Sequence, residues 1–313
     1  MTVAAGGEGA VEPIATTCPR PITRPVMLQS WNELTSLHWR YDPEVVQRLL
    51  PEGLTVDTCD GSAWVGLIPF HMRRIRVPGL APLGGWSTFP ETNVRTYVVG
   101  PRGRRGVWFF SLDISRIVPA AVARITYGLP YFWSAMSITH ETPGLVGYTT
   151  RRRWPRGSAQ SRTVVEIGEA VDDADLSEVE RFVTARWALA STFAGRLLWA
   201  EVEHAPWPLF RARLIRCDDS LVAAAGLPAP AGAPVALWSP GVDVRVRRPS
   251  MVTRSAPAGS PGSDSNPHRA CAPEGFKSQG TRAGSSGSVR DPLCSLGTSR
   301  FPAGYTGDPS PGL

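Results

Sequence analysis

Alternation of side chains with a period of two is the feature that most constrains the fold of this chain. Such alternation is typical of strands, whose successive side chains point to opposite faces of a sheet. Strands are predicted at 63–70, 92–99, 106–112, 136–140, 145–151, 163–168, 200–203 and 209–217, and helices at 42–50, 117–127 and 177–187. The fold class is therefore α+β but rich in strands: a β-barrel or wrapped antiparallel sheet with a few peripheral helices.

Composition sets the expected boundaries of the folded part. Every tryptophan lies between Trp31 and Trp238. The last 65 residues, 249–313, contain 10 Gly, 9 Pro and 12 Ser, so a low-complexity, disordered tail is predicted there, either natural or the product of a misread frame. Residues 1–25 are expected to form a flexible N-terminal segment. The single folded domain is expected to span residues 26–248.

Several functional classes are disfavoured by what the chain lacks. The five cysteines are odd in number and form no CxxC pair, and the five histidines show no metal-ligand spacing. We therefore expect no metal and no cofactor. No signal peptide and no apolar run of membrane-spanning length is visible, which favours a cytoplasmic protein without a membrane partner. Nothing in the composition excludes a homo-oligomer.

Arginine outnumbers lysine 32 to one, and the lone Lys277 lies in the predicted tail. Lysine-based chemistry therefore has no residue in the folded body. The net charge of +6 is modest. Two arginine-rich segments could bind anions, but an exposed hairpin and a solvated turn are the favoured interpretations. The run 151–156, which includes Trp154, resembles a polyanion-binding patch, but an exposed hairpin neutralised by Glu166 and Glu169 is favoured. The glycine-rich segment 100–106 is interpreted as a solvated turn rather than a phosphate site.

Two segments concentrate the polar chemistry. On a strand, Glu91, Asn93, Arg95 and Tyr97 project from one face, which is either the wet exterior of a barrel or a polar interior. If the face is interior, Arg95 beside Glu91 forms a charge-paired anchor for a small carboxylate. The second segment ends a helix at Gly128 and continues into Tyr131. It is either a simple cap with a proline stop or a turn that delivers Tyr131 into a cavity.

Several spaced motifs carry a resemblance to a known family. They are Trp31 to Leu34, Leu37 to Trp39, Leu50 to Leu54, Asp60 to Val65, Phe89 to Val98, Gly106 to Asp113, and Ala123 to Tyr131. Over residues 29–247 the chain resembles the uncharacterised YqjF-like family, domain of unknown function 2071. That family is in turn similar to the acetoacetate-decarboxylase superfamily, which implies a conical β-barrel around an apolar cavity.

The resemblance also implies a site. Decarboxylases of the superfamily carry a Gly-x-Pro-Lys-Lys turn whose lysine forms a Schiff base. The matching turn here begins at Gly128 and places Tyr131 and Phe132 where the lysines would stand, so the imine route is excluded. Glu91 matches the polar strand glutamate of the decarboxylases. The implied catalytic candidates are Glu91, Arg95 and Tyr131, and the implied ligand-binding candidates are Asn93, Arg124, Tyr97 and His38.

Three functions follow as hypotheses. The first is a barrel cavity for a small organic acid or related small molecule, which either only binds it or acts on it by lyase-like acid/base chemistry without a Schiff base. The second is a structural or interaction protein with no ligand pocket. The third is a binder of polyanions or nucleic acid that uses the arginine run at 151–156.

Overall fold

The computed structural model describes residues 10–82, 84–116, 128–154 and 158–252. All of them belong to one compact unit, Met1–Ser255. No helix within these ranges is long and apolar enough to cross a membrane. The helix predicted at 117–127 lies outside the described residues, as does the chain after residue 252.

Fourteen strands and three α-helices make up the described part of the chain. The strands are β1 Met27–Tyr41, β2 Thr55–Val56, β3 Thr58–Cys59, β4 Ser62–Arg76, β5 Phe89–Val99, β6 Arg105–Ile114, β7 Tyr131–Thr139, β8 Leu145–Trp154, β9 Gln160–Val171, β10 Ala188–Phe193, β11 Arg196–His204, β12 Leu209–Asp219, β13 Val235–Val246 and β14 Ser250–Met251. The helices are α1 Pro43–Gln47, α2 Glu178–Thr184 and α3 Leu221–Ala224. The predicted strand-rich α+β class is confirmed.

The strands form one sheet that closes on itself twice. Pairing of β5 with β6 closes a ring of nine strands, which runs β6-β7-β8-β9-β12-β13-β1-β4-β5. Pairing of β11 with β13, together with β10 beside β6, closes a second ring of seven strands, β6-β5-β4-β1-β13-β11-β10. We call these the large ring and the small ring. Strands β13, β1, β4, β5 and β6 belong to both and form the wall between them.

Both faces of the shared wall are buried, because one face lines the interior of the large ring and the other lines the interior of the small ring. On the large-ring face, Leu67 and Val94 pack in one apolar cluster with Val146 of β8 and Val165 of β9. On the small-ring face, Phe70 and Phe89 pack with other apolar side chains. Each strand of the wall therefore sends alternate residues into two different interiors, as the period of two requires.

Local signals explain most of the element boundaries. Helix α1 begins after Asp42, whose carboxylate accepts from the backbone N–H of Glu44 at 2.7 Å. Helix α2 begins with the predicted capping box of Ser177 and Glu180, and it ends at Thr184, before the predicted limit. Pro69 lacks a backbone donor and is unusual inside a strand, yet β4 continues past it to Arg76. The proline is tolerated because β1 shifts register opposite it, between Asn32 and Leu37.

Strand β1 was not predicted from the sequence, because its alternation of side chains is interrupted. Glu33 adopts a φ of 49°, in the left-handed region, where the register with β4 shifts. Before this bulge Gln29 and Trp31 face the small ring, and after it Leu34 does. The spacing from 31 to 34 shifts the period-2 pattern by one residue, so the two halves of the strand cancel in a simple alternation count.

The described terminal segments make more contacts than composition suggested. In the segment predicted to be flexible, Ile22 is buried, its N–H donates to Glu203 at 2.7 Å, and the carbonyl of Ala15 accepts from Trp187 at 2.9 Å. Beyond the predicted boundary at 248, strand β14 pairs with β11. Residues 10–25 and 249–252 therefore pack on the barrel, which differs from the expectation of loose ends.

Candidate functional site

The small ring encloses a cavity of about 230 Å³. Its lining is mostly apolar, with a few polar side chains on the shared wall. The lining residues are Met27, Gln29, Trp31, Leu34, Phe70, Met72, Ile75, Phe89, Glu91, Asn93, Arg95, Phe109, Leu112, Ile114, Leu129, Tyr131, Leu189, Val202 and Val246. A mostly apolar hollow with a few convergent polar groups is the usual form of a small-molecule site.

Strand β5 supplies the polar side of this cavity. Glu91, Asn93 and Arg95 all line it, whereas Val94 between them packs into the large ring. Of the two alternatives left by the sequence, the interior is therefore the one the structure shows. Glu91 is 3% exposed and Asn93 4% exposed, and Arg95 is half-buried. Strand alternation thus brings two carbonyl-type groups and a guanidinium to one buried surface.

These polar groups have unused hydrogen-bonding atoms. Within the described residues, Glu91 Oε2, Asn93 Oδ1 and Arg95 Nε are buried and have no hydrogen-bond partner. The great majority of buried polar atoms in proteins are paired, so three unpaired ones on the same face of one strand are unusual. Each leaves a donor or acceptor available to a bound molecule.

Burial, with a smaller contribution from the nearby Asp113 carboxylate, raises the pKa of Glu91 to about 8. Glu91 is therefore mostly neutral at pH 7. No ion pair among the described residues involves Arg95. The expected charge pair between Arg95 and Glu91 is thus absent. The reason is spacing: the two residues lie four positions apart on an extended strand, roughly 13 Å along it.

Tyr97 and His38 are not among the described residues that line the cavity. Tyr97 does contact one lining residue, Arg95. The Tyr97 hydroxyl donates to the carbonyl of Val183 at 2.8 Å and lies 2.6 Å from His38 Nε2. His38 Nε2 is therefore assigned as the protonated nitrogen that donates to Tyr97. Its Nδ1 lies 3.1 Å from the Ser36 hydroxyl.

Burial, and then the charges of Arg95 and Arg186, hold the pKa of His38 well below its usual value, so this histidine is neutral. A side chain at Gly66 would bring its Cβ within 2.5 Å of His38 Nε2, so only glycine fits there. The guanidinium of Arg95 stands over the Tyr97 ring at 5.7 Å. Tyr97, which is hydrogen-bonded to His38 and Val183, thus contacts the guanidinium of Arg95.

The turn before β7 divides its two aromatic residues between the rings. Gly128 adopts a φ of 62°, and Tyr131 lines the small-ring cavity, as the second interpretation of this turn predicted. Phe132 points to the other side, where the guanidinium of Arg152 stacks over its ring at 3.6 Å. Arg124, the remaining candidate, lies outside the described residues.

Strand β1 also contributes to the cavity, which its sequence pattern did not predict. Gln29 is buried, and Trp31 carries a buried Nε1 without a partner in the described part of the chain. Both line the cavity. The alternation of Met27, Gln29 and Trp31 was visible, but it spans only the half of β1 that precedes the bulge.

The arginine-rich segments are engaged differently from what was expected. Arg152 is buried and makes a bidentate contact with Asp113, while Arg151 on the same strand is exposed. The predicted neutralisation of this run by Glu166 and Glu169 is wrong. Glu166 lies opposite Leu145 and accepts from Arg213 of β12, and Glu169 lies beyond the stretch of β9 that pairs with β8.

In the 100–106 turn, Arg104 and Arg105 pair with Glu201 and Asp57, so the turn is not simply solvated. The described residues contain no group of three or more His, Cys, Asp or Glu that could hold a metal.

The chain is similar to known proteins in both sequence and fold. The family DUF2071, described as an uncharacterized conserved protein, matches residues 28–243. The uncharacterized protein YqjF of Bacillus subtilis (strain 168) is 29% identical over 219 residues, which cover 70% of this chain and 89% of that protein.

Among solved structures, the enduracididine biosynthesis enzyme MppR, complexed with the condensation product of pyruvate and imidazole 4-carboxaldehyde, is similar with a TM-score of 0.53. It is 17% identical, and the match covers 78% of this chain and 98% of that one. An acetoacetate decarboxylase-like enzyme from Sphingomonas wittichii RW1 gives a TM-score of 0.52 at 15% identity, covering 80% and 100%. At these identities the likeness shows a shared fold.

Proposed function

The chain belongs to the DUF2071 family of uncharacterized conserved proteins, and from that premise we propose that its small-ring cavity binds a small organic acid. The observation that carries the proposal is Arg95, a half-buried guanidinium without a carboxylate partner among the described residues, facing a mostly apolar hollow. A buried charge without a partner is costly, and a ligand carboxylate would offset that cost.

The neighbouring groups support an anion with additional oxygen atoms. Glu91 is mostly neutral near pH 7, so Arg95 leaves the polar side of the cavity with a net positive charge. A neutral Glu91 carboxyl donates a hydrogen bond and the Asn93 side chain both donates and accepts, which suits a carboxylate and an adjacent carbonyl or hydroxyl. One of the fold relatives, MppR, has been solved in complex with pyruvate, a small oxo acid.

The same residues suit acid/base chemistry without an imine. The turn that resembles the decarboxylase lysine motif carries Tyr131 and Phe132, and the chain's single lysine is Lys277. A carboxyl group with a pKa near 8 is poised to give or take a proton near neutral pH. In the proposed site, Glu91 would move the proton, Arg95 would hold the carboxylate and the Tyr131 hydroxyl would donate to a developing oxyanion.

Thermal unfolding with added acids tests the binding. A ligand that binds only the folded protein raises the melting temperature as its concentration exceeds its Kd. We expect millimolar pyruvate or hexanoate to stabilise the wild-type protein. Because hydrogen bonds to charged groups contribute about 1.5–3 kcal/mol, Arg95→Met should weaken binding roughly ten- to a hundredfold.

The matched control is Arg151→Met, at an exposed arginine on β8. It removes the same charge from the chain and should leave binding unchanged. Absence of stabilisation of the wild type by any acid, or equal affinity in Arg95→Met, would contradict the proposal.

A further inference from the structure

The polar and apolar residues of the cavity are separated along the strands of the shared wall. In the register of β4 with β5, Arg95 lies opposite Gly66 and Glu91 opposite Phe70. Phe89 follows opposite Met72, which in turn lies opposite Trp31 of β1. Along β4 and β5 the polar side chains thus lie toward one end of the wall and apolar side chains toward the other. On β1, one polar side chain, that of Gln29, also lines this second end.

The distance between the polar and the apolar end of the wall exceeds the length of a very small ligand. From Arg95 to Phe89 the strand runs six residues, about 20 Å at ~3.3 Å per residue. The cavity continues past Phe89 to Ile75 and to Met27 at the start of β1. A molecule of the size of pyruvate held at Arg95 would leave this apolar end empty.

The apolar end has the composition of a pocket for a hydrocarbon chain. Val246 of β13 lies opposite both Met27 of β1 and Val202 of β11, and all three line the cavity. Methionine side chains are unbranched and polarisable, so Met27 and Met72 adapt to ligands of different length. Among the described residues that line this end, none has a cationic side chain that could pair with a carboxylate.

We propose that the ligand is a monocarboxylic or 2-oxo acid with an unbranched apolar tail of several carbons. Its carboxylate lies at the Arg95 end, and its tail lies between Met72, Phe89 and Val246. This inference rests on the proposed function and specifies its substrate class. The two polar residues that precede the apolar end, Asn93 and Glu91, contact the carbons next to the carboxylate.

A chain-length series tests the proposal in the wild-type protein. Kd is measured by calorimetry for pyruvate, 2-oxobutyrate, 2-oxohexanoate and 2-oxooctanoate, with hexan-1-ol as the ligand that lacks the acid group. Each buried methylene contributes about 0.8 kcal/mol, which is about a fourfold gain in affinity. We expect affinity to rise by about that factor for each added methylene until the tail fills the cavity, and hexan-1-ol to bind far more weakly than 2-oxohexanoate.

A variant that shortens the apolar end provides the second measurement. Ile75 lines the cavity and is half-buried, so Ile75→Trp narrows this end without overfilling a fully buried core. It should weaken 2-oxooctanoate at least tenfold and leave pyruvate unchanged. Val77→Trp is the matched control, at a 56% exposed position two residues along the chain.

The outcomes separate the two proposals. Rising affinity with chain length, lost in Ile75→Trp, supports the tail-binding site. If acids bind but pyruvate binds as tightly as 2-oxooctanoate, the tail inference is overturned and the acid site at Arg95 stands. If no acid binds the wild-type protein, both fail.

Discussion

Strand β5 separates two interiors, each with a buried acidic side chain, and the two acids differ in how they are partnered. In the large ring, Asp113 is fully buried, yet its carboxylate accepts from Arg152 at 2.7 and 2.9 Å and from Ser134 at 2.7 Å. In the small ring, Glu91 and Asn93 are nearly as buried but keep atoms without partners among the described residues. Glu91 and Asn93, which flank Thr92, thus face the small ring. Thr92 itself faces the large ring, where its hydroxyl is hydrogen-bonded to that of Thr150 at 2.8 Å.

This contrast distinguishes groups that hold the fold from groups available to a ligand. A satisfied buried network contributes to stability, and removal of one member leaves the others unpaired. An unsatisfied buried group already costs stability, and its loss should cost little or even stabilise. Stability measurements on each side of β5 therefore test the assignment of function to the small ring.

The largest effect is expected at the buried ion pair of the large ring. Asp113→Ala leaves the Arg152 guanidinium buried without its carboxylate, which typically costs about 3–5 kcal/mol of unfolding free energy. Urea denaturation measures the change. Asp218→Ala, at an exposed aspartate that pairs with Arg216, should cost less than about 1 kcal/mol. Equal losses for the two variants would contradict the structural role of Asp113.

The next effect concerns the pH dependence of stability at Glu91. Its pKa is about 8 in the folded protein and near 4.5 when unfolded, so the folded state binds more protons between these values. Unfolding free energy should therefore fall as pH rises from about 4.5 to 8, by a few kcal/mol.

Glu91→Gln cannot ionise, so it should flatten that decline, matching wild type near pH 5 and exceeding it near pH 8. Urea denaturation at pH 5, 6.5 and 8 measures both proteins. Parallel pH profiles for wild type and variant would show that Glu91 is not held neutral by burial. The affinity of a bound acid for the wild type should also weaken above pH 8, because an ionised Glu91 repels a carboxylate.

Tyr97 shares the small-ring face of β5 but is partnered like the large-ring residues. Tyr97→Phe removes the hydroxyl bonded to Val183 and leaves His38 Nε2 buried without its acceptor, so about 1–3 kcal/mol of stability should be lost. Tyr41→Phe, whose hydroxyl bonds Pro228 at an exposed site, should cost less. A loss in acid affinity beyond that of Tyr41→Phe would show that Tyr97 also positions Arg95.

The smallest change in stability is expected at Asn93. Asn93→Leu replaces an amide with an unpartnered oxygen by a side chain of similar volume, so stability should change by less than about 1 kcal/mol in either direction. Thr92→Val on the opposite face breaks the bond to Thr150 and should destabilise more. Asn93→Leu should nevertheless weaken acid binding. A strongly destabilised Asn93→Leu would show that Asn93 stabilises the fold instead of being available to bind the acid.

Local patterns predicted eight of the fourteen described strands and one face of the site. The alternation of Glu91, Asn93 and Arg95 fixed their common face, and the capping box of Ser177 located helix α2. Strand β1 was missed because the bulge at Glu33 broke its period. The pairing of Asp113 with Arg152 and the contact of His38 with Tyr97 could not be predicted, since they join residues 39 and 59 positions apart.

The sequence by itself determined that this is a strand-rich chain, that the polar residues of β5 share a face, and that no lysine lies in residues 1–276. These are consequences of composition and of the backbone's period of two. Only the tertiary structure decided that this face is interior, that Glu91 and Arg95 are not paired, and that His38 and Tyr97 are not among the residues that line the cavity. Burial and desolvation depend on β10 and β11 closing over the wall, and that closure is a long-range pairing that alternation within a strand does not encode.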